Sequence, residues 1–379
     1  MRQPLHITIL GLSITSSWGN GHATTYRSLA RGLVERGHSV HFLERNVPWY
    51  APHRDRLDSS WGTVSLYESL DDLFEMYGEP VRDSDLVIVG SYVPEGVAVG
   101  NWVRTIRDGV TMFYDIDTPV TLGKLARGDH EYINPKLIRG YHAYLSFTGG
   151  PVPRRIERDY GSPLARPLYC SVDANSYYPQ SIPPRYDLGY LGTYSDDRQP
   201  PLEGLMLDAA RAWSGGRFVV AGPQYPAGID WPENVQRIEH LAPQAHREFY
   251  NSQRFTMNIT RAEMVQSGYA PSVRLFEAAA CGTPIISDWW RGLDTFFDPE
   301  TEILISRSAE ETCGYLREIH EEQRDRLGTA ARRRVLAAHT GQRRAEELEE
   351  IFEEAVAVQR MGRRERHPSE TAASHQRVS

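Results

Sequence analysis

Short runs that are apolar almost without interruption constrain this chain most. Asp85–Val89 and Val110–Tyr114 show no alternation of apolar and polar residues. A strand with one wet face alternates; these must be covered on both faces, as in a parallel sheet flanked by helices. Leu5–Leu10, Val40–Leu43 and Tyr144–Phe147 continue the series. Between the first two, Leu29, Ala30 and Leu33 fall at core spacing in a helix expected over Thr24–Arg36, closed by Gly37. The pattern predicts a doubly wound α/β fold.

At Pro167–Pro184 the composition turns to Pro, Ser, Asn and Tyr, which reads as a linker. A second α/β series follows. Its expected strands are Asp187–Leu191, Arg217–Ala221, Val235–Ile238, Thr256–Ile259, Thr283–Ser287 and Glu302–Ile305. Expected helices are Leu202–Trp213, Pro243–Asn251, Val273–Cys281, Ala309–Glu321, Glu322–Ala338 and Gln342–Gln359. A length of 379 residues suits two domains. We place them at 1–176 and 177–341, with a terminal helix at 342–360. Residues 361–379 are nearly free of apolar side chains, and a disordered tail is expected there.

Composition narrows the function classes. No run of about eighteen apolar residues is present, so no transmembrane helix is expected. The N-terminus is too quickly polar for a signal peptide. Cys170, Cys281 and Cys313 form no CxxC and no Cys/His cluster, which points to a cytoplasmic setting and away from a structural zinc. A net charge of −8 argues against a broad nucleic-acid surface without excluding a local basic groove.

The segment Pro271–Asp288 carries the most chemistry. Ser272 suits an N-cap and Gly282 a C-cap, with a buried strand after Pro284. Arg274 and Glu277 are three apart and share a helical face near the positive end. That end offers free N–H groups to phosphate, and a carboxylate one turn in can take two ribose hydroxyls. A surface Arg–Glu pair on an ordinary helix is the plainer alternative. Gly192 and Thr193 follow a strand, and Arg198 lies close behind; a glycine there lets the backbone approach a diphosphate, which an arginine neutralises. Arg261 ends another strand, at the carboxyl edge where ligands sit; its alternative is pairing with Glu263. Gly222-Pro223-Gln224 follows a third strand, as a further contact to the ligand or as a plain turn.

In the first half, Gly19-Asn20-Gly21-His22 lies between the first strand and the first helix. The glycines permit close backbone approach, and a histidine there is a candidate base or a packing residue. Thr24 occupies the third glycine position of a dinucleotide fingerprint, which weakens that reading. Asp115-Ile116-Asp117-Thr118-Pro119 follows the Val110–Tyr114 strand. Its two carboxylates can bind acceptor hydroxyls, stabilise a developing cation or take a proton, or serve only as turn and capping residues. Ser146–Gly150 follows another strand and can shape the same cleft.

Glu277–Ile286 closely resembles the donor-site pattern E-A-x-A-C-G-T-P-V-I of GT-B glycosyltransferases. Leu191–Pro200, Asn258–Arg261, Pro271–Gly282, Ser17–His22 and Asp115–Pro119 together resemble the CgeB-like, spore-maturation branch. The resemblance covers roughly residues 5 to 350. It implies two Rossmann-like domains facing a central cleft, with the last helix crossing back to the first. It implies transfer of a sugar from a nucleotide-diphosphate donor, UDP-linked before GDP- or dTDP-linked, without a metal and with retention. Glu277 would hold the ribose; Arg198, Arg261, Arg274, Gly192, Thr193 and Ser272 the diphosphate. Gly19, Gly21, His22, Asp115 and Asp117 would face the acceptor. One departure stands out: related retaining enzymes carry a glutamate eight residues before the ribose glutamate, and here that position is Tyr269. Inversion with His22 or Asp117 as base, a GT-B epimerase and a non-catalytic nucleotide-sugar binder are the rival readings. The acceptor is open: a small molecule, polysaccharide, protein or modified nucleic acid.

Overall fold

The computed structural model describes residues 3–18, 21–55, 58–106 and 109–366. One sheet contains β1 (His6–Gly11), β2 (Ser39–Arg45), β3 (Thr63–Tyr67), β4 (Leu86–Gly90), β5 (Val110–Asp115), β6 (Ala143–Ser146) and β7 (Ala165–Pro167). Their spatial order is β3-β2-β1-β4-β5-β6-β7. The other contains β8 (Tyr186–Leu191), β9 (Phe218–Ala221), β10 (Val235–Ile238), β11 (Gln253–Asn258), β12 (Ile285–Ser287) and β13 (Leu304–Ile305), ordered β10-β9-β8-β11-β12-β13. The pairings are parallel throughout. Counted within itself, each sheet begins 3-2-1-4, so the chain reverses direction beside its first strand, where such sheets bind ligands. The fold is GT-B, α/β with two Rossmann-like sheets. β4 and β5 are buried along their whole length, which is why they are apolar without alternation.

Several expectations are corrected. β3 and β7 lie at or beside sheet margins and are only partly buried, so their periodicity is weak. The first helix begins at His22, not Thr24. The terminal helix runs Gly341–Arg366, past the start expected for a disordered tail. Low apolar content removes tertiary burial, but it does not stop an established helix from propagating. The rest of that tail, 367–379, lies outside the described residues.

The helix Gly341–Arg366 packs along the helix His22–Glu35. The approach needs glycine on both sides: a Cβ on Gly32 would stand 2.3 Å from the Gly341 carbonyl oxygen. Glu349 secures the contact. It accepts from Arg36 Nε and Nη2 at 2.5 and 3.0 Å and from His38 Nε2 at 3.0 Å. His38 Nδ1 accepts from the Leu5 amide, so Nε2 carries the proton. The Arg36 hydrogen bonds, outweighing burial and helped by His38, pull the Glu349 carboxyl down to about 2. A depressed carboxylate stabilises the fold above its unfolded pKa and loses that contribution as pH falls towards 2. Glu349→Gln is therefore expected to cost on the order of 2–3 kcal/mol at neutral pH. The gap in melting temperature between variant and wild type should close between pH 4.5 and 2; a gap that persists at pH 2 rules out the ionic origin.

Among the described residues, no helix is long and apolar enough to cross a membrane. The three cysteines are buried and unbonded.

Candidate active site

The carboxyl-end loops of the two sheets face one another across a cavity of about 740 Å³. On the side of the second sheet, the helix Val273–Ala280 points its N-terminus into this space. From Arg274 to Ala280 it is wholly buried. Its C-terminal end closes with Gly282 at φ 74°, whose amide reaches the Ala279 carbonyl while Thr283 reaches that of Ala278. Ser272 sits at the N-cap, but its hydroxyl donates to Asn258 Oδ1 at 3.0 Å rather than accepting from the helix. The amides of Val273 and Arg274 are thus left for a ligand, while that of Leu275 donates to the Ser272 carbonyl at 3.2 Å.

Three guanidinium groups converge beside that N-terminus. Arg274 is buried and donates to the Leu191 carbonyl, to Asn258 Oδ1 at 2.9 Å and to the Ile259 carbonyl at 3.4 Å. Arg198 donates to Ser195 Oγ at 2.9 Å and the Thr193 carbonyl at 2.6 Å. These partners are all neutral, and among the described residues no carboxylate pairs with either arginine. Burial lowers the Arg198 pKa; repulsion from Arg274 and Arg261 adds to it, while Tyr190 and Tyr225 oppose it. Arg261 reaches two carboxylates only loosely, Asp117 and Glu263, each at 3.8 Å. Asp197 and Asp288 lie near enough to sense these charges, but neither pairs with Arg198 or Arg274, and partly desolvated cations without a direct carboxylate partner suit an incoming anion. Gly192 and Thr193 line it, and among the described residues no acceptor is placed for the Thr193 amide.

Glu277 also lines the cavity, is 4% exposed and accepts from the Tyr250 hydroxyl at 3.0 Å. It does not pair with Arg274, so the surface-pair alternative falls away.

On the first sheet's side, Glu44 shapes the loop after β1. Fully buried, it accepts from the Ile14 and Thr15 amides at 2.7 and 2.9 Å and from the Thr15 hydroxyl at 2.6 Å. Gly21, His22 and Asp117 line the cavity. Gly19 lies outside the described residues. Burial pushes the His22 imidazole down to about 4, which makes it a weak base. Asp117 accepts from the Tyr92 hydroxyl at 3.2 Å and faces Arg261 across the cleft. Burial raises its pKa, against the pull of Arg261 and Tyr92. The buried Asp117 Oδ1, His22 Nδ1, Arg54 Nε and Arg261 Nε have no partner among the described residues, and all four side chains line the cavity. Orphaned buried atoms concentrated at one site mark where a ligand's polar groups belong.

Asp115 is corrected. It is fully buried, does not line the cavity and is consumed by Thr121 Oγ1 at 2.7 Å, the Tyr144 hydroxyl and the Asp117 amide. Burial first, with Asp117 adding, lifts its pKa to about 6 against those hydrogen bonds. Asp115 is the last residue of β5, whereas Asp117 lies past the strand end at the start of the helix Thr118–Ala126, so the two carboxylates do not share the face that an i, i+2 pair within a strand would, and only Asp117 reaches the cleft.

Tyr269 does not line the cavity either. It takes φ 51°, and its carbonyl accepts from the Gly149 amide at 3.0 Å, joining the two halves of the chain.

Sequence reasoning missed Trp18, His53, Arg54, Asp55 and the His240–Pro243 stretch, which also line the space. The last four of these groups follow β2 or β10, so the carboxyl-end rule, applied to every strand, would have found them. Trp18 stacks on His53 with ring centroids 4.5 Å apart.

Residues 198–350 match the family model described as Glycosyl transferase-like. That part of the chain is a glycosyl transferase-like domain, set on a GT-B fold. Sucrose-phosphate synthase from Thermosynechococcus elongatus superposes with a TM-score of 0.65 at 15% identity, over 94% of this chain and 100% of that one. Anabaena HepE in complex with UDP-glucose gives 0.64 at 12% identity, over 91% and 99%. An alpha-glucosyltransferase in complex with UDP-glucose and DNA containing an abasic site gives 0.68 at 14% identity, over 92% and 100%. No curated protein matches the chain. Within the matched residues fall Arg198, Arg261, Arg274 and Glu277, while Gly21, His22, Asp117, Gly192 and Thr193 precede them.

Proposed function

We propose that this protein transfers a sugar from a nucleoside-diphosphate donor to an acceptor held on the loops of the first sheet, with retention of configuration. The observation that carries the reading is the arginine pair, half-buried Arg198 and buried Arg274, whose partners are neutral, beside an uncapped helix N-terminus. A diphosphate supplies the missing charge. Glu277 holds the ribose, Arg261 joins the diphosphate grip, and Asp117 faces the reacting centre. Residues 1–176 serve the acceptor and 177–341 the donor, with 342–360 returning to the first part. The motif set supports the CgeB-like branch, and UDP-sugar complexes of the structural neighbours favour UDP as the donor base. The three unbonded cysteines suit action in the cytoplasm.

Retention is favoured because it asks little of a protein base: the departing phosphate, held by the arginines, can take the acceptor proton. Inversion draws support from the unpartnered His22 Nδ1, although an imidazole near pKa 4 removes protons poorly.

The charge needed at the diphosphate is supplied by side chains, so binding is expected to be independent of divalent metal. Calorimetry with UDP, GDP and dTDP should return the same affinity with EDTA as with magnesium or manganese. Affinity that disappears in EDTA and returns with metal overturns this part of the reading.

A further inference from the structure

The loops beside the arginines share an unusual economy of backbone charge. The carbonyl oxygens of Leu191, Gly192 and Thr193 are consecutive, and each accepts from a different side chain: Arg274 Nε, the Tyr225 hydroxyl at 3.1 Å and Arg198 Nη2 at 2.6 Å. The carbonyl of Gly222, in the facing loop, accepts from Arg237 Nη2 at 3.0 Å. Four partly negative oxygens at the edge of an anion pocket are thereby committed to protein donors. Two of those donors, Arg198 and Arg274, line the cavity; Tyr225 and Arg237 do not.

Tyr225 and Arg237 form a unit of their own. The Arg237 guanidinium lies against the rings of both Tyr225 and Trp231, 4.1 and 4.6 Å from their centroids, and the two rings meet edge to face. Its other donor goes to the Val220 carbonyl. The two loops interlock where this unit holds them: a Cβ on Gly222, at φ 145°, would stand 2.0 Å from the Gly192 oxygen. Gly222 thus leaves room for a carbonyl that Tyr225 then fixes. With that carbonyl turned to Tyr225, the Thr193 amide is the loop's free polar group towards the cavity, and it is a donor.

We propose that Tyr225 and Arg237 are positioning residues for diphosphate recognition: they hold the Gly192 and Gly222 carbonyls away from the ligand, so that the Gly192–Thr193 loop presents the Thr193 N–H rather than oxygens. The proposal rests on the donor-site reading above. Freed of its donor, the Gly192 oxygen can rotate towards the phosphates and repel them. A nucleoside lacks the phosphates and should not sense the difference.

The test is calorimetry of Tyr225→Phe with UDP and with uridine, beside thermal melting. The phenyl ring keeps the stack with Arg237 and loses only the hydroxyl. The expected result is an affinity for UDP lowered about three- to tenfold, as for loss of one hydrogen bond. Uridine affinity and melting temperature should stay near wild type. Arg237→Lys keeps the charge but loses the two-carbonyl fork, and should show the same selective loss. Equal losses for UDP and uridine, or no loss for either, overturn the proposal while wild-type UDP binding leaves the donor site standing. A wild-type protein that binds neither UDP nor another nucleoside diphosphate overturns the donor-site reading, and this inference with it.

Discussion

Asp117→Asn is expected to lower turnover by about 10²–10³, the usual cost of removing one charged group aimed at a developing transition-state charge. UDP affinity should be no weaker than wild type. The substitution keeps the shape of the side chain and its bond from Tyr92, and removes a negative charge that Arg261 now faces at 3.8 Å. Arg261 is then free to turn wholly to phosphate, so donor binding holds or tightens while the chemical step suffers. This split between kcat and donor affinity separates a role at the reacting centre from general damage to the cleft. A pH profile adds a second sign. Burial raises the Asp117 pKa, so wild-type turnover should fall on acidification sooner than an ordinary aspartate would dictate, and the asparagine variant should lack that limb. The anomeric configuration of the product, read by NMR coupling constants, then assigns the mechanism. A retained product with a mild loss in His22→Gln agrees with the reading above. An inverted product, with His22→Gln costing as much as Asp117→Asn, makes His22 the base.

The fold was legible wherever burial was two-sided. β4 and β5 spell themselves out in apolar residues because helices cover both faces. β3 was not, because its partly exposed residues Val64, Ser65 and Leu66 carry little contrast. At the site, the residues that sit in motifs on regular elements were legible, since a helix N-terminus and a strand end fix direction. Arg198, Arg274 and Glu277 reach the cavity for that reason. Asp115 misled because β5 ends on it: Asp117, already the N-cap of the next helix, no longer follows the strand's alternation, and nothing in Asp-Ile-Asp says where the strand stops or which carboxylate faces the cleft. The role of Tyr269 was also hidden. Its left-handed backbone and its contact with Gly149, more than a hundred residues away, are properties of the folded chain alone. The supporting donors Tyr225 and Arg237 belong to the same class: they act through backbone carbonyls, which leave no trace in a side-chain motif.

Glu277→Gln is expected to weaken UDP binding about ten- to a hundredfold, the equivalent of roughly 1.5–3 kcal/mol for a charge-assisted hydrogen bond. Glutamine has the same shape and can still accept from Tyr250, so the buried helix Val273–Ala280 keeps its packing and circular dichroism should remain native. What changes is the charge offered to the ribose. A ligand that lacks the ribose hydroxyls completes a cycle with the mutation. Wild-type protein should bind 2′,3′-dideoxy-UDP about as poorly as the variant binds UDP. The variant should barely distinguish the two ligands, because the partner of those hydroxyls is already gone. If the variant and the wild type lose the same factor on removal of the hydroxyls, the two groups do not interact, and Glu277 acts elsewhere. Its neighbours name the alternative. Tyr250 donates to it, and the buried Tyr177, whose pKa is raised by burial and by the nearby Glu277 charge, lies 3.4 Å from His246 Nδ1. A purely structural Glu277 would organise that buried trio, and its glutamine variant would lower the melting temperature without regard to which ligand is present. Ligand-dependent loss with unchanged stability assigns it to the ribose.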